Sequence, residues 1–436
     1  AQGPLWNAGG DRGLYRTTDG GANWEKVLDI SEDTGVTDVV MDPGNPDVMY
    51  AASYQRRRHT WVLLNGGPEG ALYKTTDGGS TWNKLERGLP SGDIGRIGLG
   101  IAPTDGNVVY AIIEAAGDES GFYRTTNAGV SWEKMSSYVS GSPQYYNEII
   151  VSPHDHDVIY SNDTWLQRTE DGGRNWQRIN DGTMHVDNHA IWIDPNDPHH
   201  IVAGNDGGVY ETFDDTNTWS FKWNLPITQF YKIAIDDDFP FYNVYGGTQD
   251  NNTIGGPTRT TSGNGIVNDD WFITLGGDGF EPAIEPGNPD IVYSQWQYGN
   301  LMRYDRKTGE NTDIQPQPID LEEPLVWNWS SAFMISHHSP TRLYFGGNYL
   351  FRSEDRGNSW TRLGGNKTRQ IDRNELKVMG RVWSVDAVAK NRSTSVYGNI
   401  VSIDESPLVE DLLYIGTDDG LIWMSPDGGA TWTKYE

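Results

Sequence analysis

The sequence contains no cysteine, which excludes disulfide bonds, thiolate metal sites and a cysteine nucleophile. Basic side chains are also scarce, since 33 lysines and arginines face 61 aspartates and glutamates and leave a formal net charge of -28. Nucleic acid and anionic membranes attract basic surfaces, so this balance disfavours both as partners. No apolar run approaches the roughly 20 residues that a membrane helix needs, and we predict no membrane insertion.

Glycine and tryptophan are abundant instead, and they gather in a pattern of Ser or Thr, any residue, Asp, any residue, Gly, two further residues and Trp. The Asp can accept backbone N–H groups inside a turn and the Gly can adopt a positive φ, so the pattern predicts a tight turn between antiparallel strands. The Trp then opens the next strand, where it can pack against a neighbouring repeat. The copies occupy residues 17–24, 75–82, 125–132, 169–176, 212–219, 353–360 and 425–432, with Asn127 once replacing the Asp and Thr216 once replacing the Gly.

Short apolar segments accompany these turns in a repeat of about 45 residues. In one repeat, residues 36–41, 48–52, 72–75 and 82–85 are predicted to form four strands. Four antiparallel strands joined by hairpins form one blade of a β-propeller. The same strand order recurs after residues 230 and 282 without the Asp turn. The sequence therefore predicts an all-β fold, a β-propeller with eight complete four-stranded blades.

The blades do not account for both ends of the chain or for one long segment. Residues 1–28 contain only a third strand, an Asp turn and a fourth strand, which predicts a half blade completing an upstream blade. A free two-stranded flap is the alternative, although it leaves an unpaired edge. Residues 29–436 hold the complete blades, with an inserted loop at 364–398 that is expected to run over one face. We expect the chain to be part of a larger propeller or propeller pair.

The repeated turn resembles the Asp-box, or BNR, repeat of bacterial sialidases, two-propeller xyloglucanases, sortilin-type receptors and photosystem assembly propellers. Four glycine-rich phrases, at residues 9–15, 204–208, 246–251 and 276–280, extend the resemblance to the bacterial "glycosyl hydrolase, BNR repeat" and sortilin-like proteins. The resemblance implies a bacterial protein that is extracytoplasmic: periplasmic, on the cell surface or secreted. It leaves function open, because this architecture hosts hydrolases, receptors and assembly factors.

The leading hypothesis is a propeller that binds a glycan on its loop-rich face, with or without glycoside hydrolase activity. The alternative is a non-catalytic, sortilin-like propeller that binds protein or peptide or scaffolds an assembly. A sialidase would need an Arg-Ile-Pro segment, which is absent. Xyloglucanase-like enzymes place two aspartates across a cleft between two propellers, and the second propeller would lie outside this chain.

The candidate site residues lie in loops at the blade ends opposite the Asp turns. Aromatic rings can stack on sugars while carboxylates and amides hold hydroxyl groups, and two carboxylates can supply acid and base or nucleophile. Turn formation is the alternative role for an Asp beside Gly or Asn, including Asp206 and Asp250. The candidate catalytic residues are Asp187, Asp250, Asp278 and Glu281. The candidate ligand-binding residues are Arg56, Arg57, Arg58, Trp61, Tyr145, Tyr146, His185, His189, Gln249, Trp296 in the loop 296–300, Trp327 and Trp329.

Two of these groups allow other chemistry. The cluster Arg56–Arg58 would either clamp an acidic glycan or form ion pairs with neighbouring acidic loops. His185, Asp187 and His189 alternate, and on a strand they would point to one side and could hold a divalent cation. Loop polarity explains the same residues, so neither a cofactor nor a metal site is predicted.

Overall fold

A computed structural model describes residues 1–225, 227–318, 324–392 and 395–436. The chain forms two compact units, each built almost entirely from β-strands. The first unit comprises Ala1–Leu225 and Asn374–Ser393, and the second comprises Pro226–Arg373 and Thr394–Glu436. No helix in the described part is long and apolar enough to cross a membrane. The 3-10 turns are Gly117–Glu119, Asn268–Asp270, Gln297–Gly299 and Arg373–Glu375.

The first unit holds four four-stranded sheets and two two-stranded sheets, all antiparallel. Its strands are β1 (Leu14–Arg16), β2 (Glu25–Leu28), β3 (Thr34–Asp42), β4 (Asn45–Gln55), β5 (Arg57–His59), β6 (Val62–Leu64), β7 (Ala71–Thr75), β8 (Asn83–Leu85), β9 (Ile94–Ala102), β10 (Asp105–Ala115), β11 (Gly121–Thr125), β12 (Glu133–Ser136), β13 (Glu148–Val151), β14 (Ile159–Asn162), β15 (Gln167–Thr169), β16 (Gln177–Arg178), β17 (Asn188–Ile193), β18 (Ile201–Asn205), β19 (Gly208–Thr212) and β20 (Ser220–Phe221).

The second unit holds four four-stranded sheets. Its strands are β21 (Phe230–Ile235), β22 (Asn243–Thr248), β23 (Thr253–Pro257), β24 (Phe272–Leu275), β25 (Ala283–Ile284), β26 (Ile291–Trp296), β27 (Asn300–Asp305), β28 (Asn311–Asp313), β29 (Ala332–Ile335), β30 (Leu343–Gly346), β31 (Leu350–Ser353), β32 (Thr361–Arg362), β33 (Ile400–Glu405), β34 (Leu413–Thr417), β35 (Ile422–Ser425) and β36 (Thr433–Tyr435).

Each four-stranded sheet follows the order of the chain, so successive strands pair as neighbours. The first of them, β3-β4-β7-β8, carries the additional hairpin β5–β6 between its second and third strands. The sheets β21–β24 and β25–β28 are complete although they lack the Asp turn. The prediction of an all-β propeller fold with eight complete blades is confirmed.

The Asp turns join the third and fourth strands of a blade through one repeated set of hydrogen bonds. In the copy at 75–82, the Thr75 hydroxyl donates to Asp77 Oδ1 at 2.8 Å and accepts the Gly79 N–H at 3.0 Å. Asp77 Oδ1 also accepts the Thr81 N–H at 2.9 Å. These bonds favour the ionised carboxylate, and those from Thr81 and Thr75 lower the pKa of Asp77 to about 2. The turn is therefore stabilised within its own eight residues.

In two of the copies, the Trp that follows the turn packs against the preceding blade, as the sequence predicts. Trp132 lies 6% exposed in a cluster with Tyr50 and Leu72 of the preceding blade. Trp219 is 7% exposed, and its indole N–H donates to the Ile179 carbonyl of the preceding blade at 3.1 Å. In these two blades the Trp thus covers part of the core of the preceding blade.

The N-terminal residues belong to the first unit, and so does the central part of the inserted loop, from Asn374. Strands β1 and β2 form a separate two-stranded sheet. Its assignment as half of an upstream blade stays a prediction. Within the inserted loop, residues 374–392, here called the strap, pack on the hairpin β5–β6 through Val378 and Trp383, which contact Val62 and Leu64. Residues 393 and 394 lie outside the described residues.

Candidate functional site

Two glycine-rich loops of the second unit come together at one end of the blade β21–β24. The Gly279 N–H donates to the Thr248 carbonyl at 3.0 Å, and the Asn252 N–H donates to the Gly277 carbonyl at 3.0 Å. A Cβ on Gly247 would lie 2.0 Å from the Phe280 carbonyl oxygen, so only glycine permits this backbone approach. The glycines in residues 246–251 and 276–280 therefore allow the two loops to pack directly on each other.

This contact pairs the carboxyl groups of Asp250 and Asp278. The Asp250 N–H donates to Asp278 Oδ1 at 2.9 Å, and the two carboxyl groups also share a hydrogen bond. Asp278 is only 4% exposed. Burial first, and then the neighbouring Asp250, raise the pKa of Asp278 to about 6, because two adjacent carboxyls cannot both ionise freely. Asp278 can therefore donate a hydrogen bond at pH values up to about 6, and above that value it acts mainly as an acceptor.

We call three aromatic side chains of the second unit the aromatic platform: Trp296, Tyr298 and Trp329, of which Trp296 lies next to the carboxyl pair. Trp296 ends β26 and lies against Gly277, the residue before Asp278. Tyr298 meets Trp329 edge to face, with ring centroids 5.2 Å apart. The three rings are 37%, 43% and 36% exposed, respectively. The site thus combines accessible aromatic rings with a carboxyl pair in which Asp278 is buried and Asp250 is half-buried.

Gln297 and Tyr298 belong to this site but were not singled out individually from the sequence. The Gln297 side chain hydrogen-bonds to Asp278, and Tyr298 adopts a left-handed φ of 62°. That conformation turns the hairpin between β26 and β27 so that the ring of Tyr298 reaches Trp329. The only signal in the sequence is their position inside the aromatic loop 296–300.

The remaining candidates of the second unit have other contacts. Trp327 stacks on Phe345 with ring centroids 4.7 Å apart and also lies against Gly299, so it fills a core. Glu281 forms an exposed ion pair with Lys232 at 2.6 Å. Gln249 is half-buried beside Asp250. Their functional roles stay predictions.

A second group of candidates comes together in the first unit. The Tyr146 hydroxyl donates to Asp187 Oδ1, and its ring lies 5.3 Å from the ring of His189. His189 Nε2 in turn lies 3.1 Å from Asp206 Oδ1. Burial and the bond to Asp187 raise the pKa of Tyr146 above its ordinary value. Tyr145 is 45% exposed beside Tyr146.

The expected alternation of His185, Asp187 and His189 is not realised. Strand β17 begins only at Asn188, and Asp187 has a left-handed φ of 64°, which breaks the extended geometry that alternation requires. His185 instead bonds through Nδ1 to the Val186 carbonyl at 2.9 Å. Tight-loop geometry has replaced strand geometry at these residues.

The arginine cluster is largely occupied by contacts within the first unit. Arg57 is buried and pairs with Asp33 at 2.5 Å, as the ion-pair alternative predicts. Arg56 donates to Gln2 Oε1 at 3.2 Å, and the guanidinium of Arg58 lies over the Trp6 ring. Trp61 stacks on His59 with centroids 4.5 Å apart. These contacts explain the cluster without a ligand.

Part of the first unit is similar to a known protein family. Residues 12–165 match the family model described as Sortilin-Vps10, "Sortilin, neurotensin receptor 3". The match covers 154 of the 436 residues (165 − 12 + 1), all of them in the first unit. No curated protein matches the chain.

Solved structures with similar architecture share little sequence with the chain. The GH74 xyloglucanase from Xanthomonas campestris is 16% identical, with 91% of this chain and 52% of that chain covered and a TM-score of 0.33. The GH74 enzyme from Niastella koreensis is 14% identical over 99% of this chain and 70% of that chain, with a TM-score of 0.36. YCF48 bound to D1 peptide is 15% identical over 72% of this chain and 91% of that chain, with a TM-score of 0.31. The chain spans about half of the length of the xyloglucanase.

Proposed function

We propose that the protein binds a glycan on the surface made by the aromatic platform and the Asp250–Asp278 pair. The observation that carries this proposal is the exposure of Trp296, Tyr298 and Trp329 together with the contact of Trp296 with the loop that carries the buried Asp278. Exposed aromatic faces offer stacking surfaces to the C–H faces of sugar rings. The carboxyl pair and Gln297 supply the donors and acceptors that fix a hydroxyl group.

Binding is supported more strongly than hydrolysis. Glycosidase carboxyls lie about 5–5.5 Å apart in retaining enzymes and about 6.5–9.5 Å apart in inverting enzymes. Asp250 and Asp278 are instead in direct contact, because the Asp250 N–H donates to Asp278 Oδ1 at 2.9 Å and the two side chains interact. A hydrolase would need another acid, and Glu281 is the nearest candidate along the chain.

Affinity electrophoresis through gels containing xyloglucan, mixed-linkage glucan, xylan or an acidic polysaccharide tests this proposal. We expect the wild-type protein to be retarded by at least one of these polymers. W329A should weaken that retardation by about 10-fold or more, because a lost stacking contact is worth roughly 1.4 kcal/mol. Release of reducing sugar from the retained polymer, measured for the wild type, D278N and E281Q, reports hydrolysis separately.

Tyr414→Ala is the matched control, because Tyr414 is an aromatic side chain of the second unit on β34 that is 45% exposed. It should bind as the wild type does. Wild-type protein that is not retarded by any of the polymers would overturn glycan binding. Equal loss of retardation in W329A and Y414A would show that the binding site does not include Trp329.

Peptide binding is the second candidate, favoured by the match of residues 12–165 to a receptor family model. In this alternative, the first unit binds the peptide through the loops that carry Tyr145, Tyr146 and His189. A peptide library displayed on beads, probed with wild type and H189A, would separate this function from glycan binding.

We also propose an extracytoplasmic location for the protein, which cell fractionation of the source organism would test.

A further inference from the structure

A cavity lies in the first unit and is lined by residues other than those of the aromatic platform. It measures about 380 Å³, within the usual range for a small-ligand site. Its floor is the end of β10, including Glu114, and Val139 and Pro143 form part of its wall. Its roof is the strap segment from Val385 to Lys390, together with Arg392.

Apolar packing and hydrogen bonds anchor the strap on the hairpin β5–β6. Trp383 is buried against the hairpin β5–β6, and its indole N–H donates to the Val378 carbonyl at 2.8 Å. The Lys390 ammonium donates to the Trp383 carbonyl at 2.7 Å, and the Asn391 N–H donates to the Leu63 carbonyl at 3.2 Å. The folded strap and the blade therefore line the cavity together, and the cavity stays open to solvent on one side.

Glu114 is the unusual group in this cavity, because it is a buried acid without a matched donor. It is 5% exposed, and its Oε2 accepts only the Arg96 N–H, at a long 3.4 Å. Its Oε1 has no hydrogen bond to any described residue. A buried carboxyl normally has partners for both oxygens, since an unpaired polar group costs about 1–3 kcal/mol.

The cationic side chains near Glu114 do not donate a hydrogen bond to its Oε1 among the described residues. The Arg96 guanidinium donates to the Gln144 carbonyl at 3.1 Å and pairs with Glu148 at 2.6 Å. The Lys390 ammonium is bound to a strap carbonyl. Arg392 acts on Glu114 only through space and forms no ion pair with it among the described residues.

We infer that this cavity binds an alkylammonium group, with Glu114 as its carboxylate acceptor. An entering ammonium supplies the absent donors and forms a charge-assisted hydrogen bond where water is largely excluded. The strap residues above Glu114 would contact the alkyl chain, so ligand binding and strap seating stabilise each other. The ammonium could belong to a free small amine or to a lysine side chain of a peptide, because both present the same group.

The electrostatics of the cavity agree with this inference. Burial raises the pKa of Glu114 to about 7, and the charged groups around it are Arg96 on β9 and Asp386, Lys390 and Arg392 on the strap. Near pH 7 the acid is therefore close to half protonated. A bound ammonium favours the carboxylate, so binding should release a proton from Glu114.

Isothermal titration calorimetry at pH 7, in two buffers of different ionisation enthalpy, tests the inference with two probes. One probe is 1,4-diaminobutane and the other is the acetylated and amidated tripeptide Gly-Lys-Gly. We expect saturable binding of at least one probe, with release of up to about half a proton per site. Binding of the diamine identifies a free amine as the ligand, whereas binding of the tripeptide alone identifies a lysine side chain.

Glu114→Gln should abolish the binding and the proton release, whereas E133Q, which removes an exposed glutamate from β12 of the same blade, should leave both unchanged. If E114Q does not fold, A116L provides the second variant, because Ala116 lines the cavity and leucine would fill it with Glu114 intact. The inference is overturned if the wild type binds neither probe, or if E114Q or A116L binds as tightly as the wild type.

Discussion

The Asp turns and the Asp250–Asp278 site are built from the same residue types and have opposite properties. In the turn at 75–82, Asp77 is exposed and its pKa is lowered to about 2 by hydrogen bonds from Thr81 and Thr75. In the site, Asp278 is buried beside a second carboxyl and its pKa is raised to about 6. The tryptophans are reversed as well: Trp219 of a turn is buried, whereas Trp329 of the site is exposed.

This difference follows from where each side chain finds its partners. The turn Asp takes its donors from residues at most four positions away, so its charge is satisfied before the blades pack. Asp278 meets Asp250 across 28 positions and only after two loops have closed on each other. The turns thus stabilise the fold, whereas the site retains polar groups and aromatic surface that a ligand can use.

Replacing one tryptophan of each kind should give the largest contrast. W219A removes a buried indole, its hydrogen bond to Ile179 and its packing, and should lower the free energy of unfolding by about 3–5 kcal/mol. W329A removes a partly exposed ring and should lower it by less than about 1 kcal/mol. Denaturant unfolding followed by circular dichroism measures both. Equal losses in the two variants would erase the distinction between turn and site.

The pH dependence of stability should separate the two kinds of carboxyl next. Asp278 has a folded pKa of about 6, above the ordinary value of 3.8, so its contribution to stability is fully present below pH 3.8 and is lost as pH rises through 6. D278N cannot ionise, and at pH 7.5 it should be more stable than the wild type by roughly 1–3 kcal/mol. Urea unfolding at pH 3.5 and 7.5 measures the difference, which should nearly vanish at the lower pH. A constant difference at both values would show that Asp278 does not ionise with a raised pKa.

The turn aspartate should show the smallest effect and the opposite sign. The pKa of Asp77 is lowered from 3.8 to about 2, so its contribution is present above pH 3.8 and is lost as pH falls through 2. At pH 7, D77A should lower Tm by roughly 1–3 °C, because it removes the acceptor of the turn. D77N should lower Tm less, since Asn127 already accepts from Thr125 at 2.9 Å and from Ser131 at 3.0 Å in another copy. Calorimetry of both variants tests the order, and a larger loss in D77N would contradict it.

Most of the fold could be predicted because its signals are local. Turn residues and strand alternation repeat along the chain, and they also identified the two blades without an Asp turn. The site was less predictable. Trp327 and Trp329 are two positions apart, yet one stacks on Phe345 in a core and the other is exposed. No local pattern distinguishes them, because the difference depends on which neighbours the loop meets.

The arginine cluster and the strap show the same limit. The run Arg56–Arg58 stands out against an acidic chain, yet Arg57 pairs with Asp33 and Arg58 covers Trp6. The inserted loop was expected over one face, but its packing on β5–β6 and the cavity above Glu114 could not be foreseen. Both depend on residues far apart in the chain.

By itself, the sequence determined the all-β class, the four-stranded blades and the Asp turns, because each turn and hairpin is specified by residues within a few positions of one another. Only the tertiary structure decided which carboxyls become neighbours, which tryptophans are buried and where the strap closes a cavity. The physical reason is desolvation: burial raises the pKa of Asp278 and Glu114, and burial is a property of the packed chain.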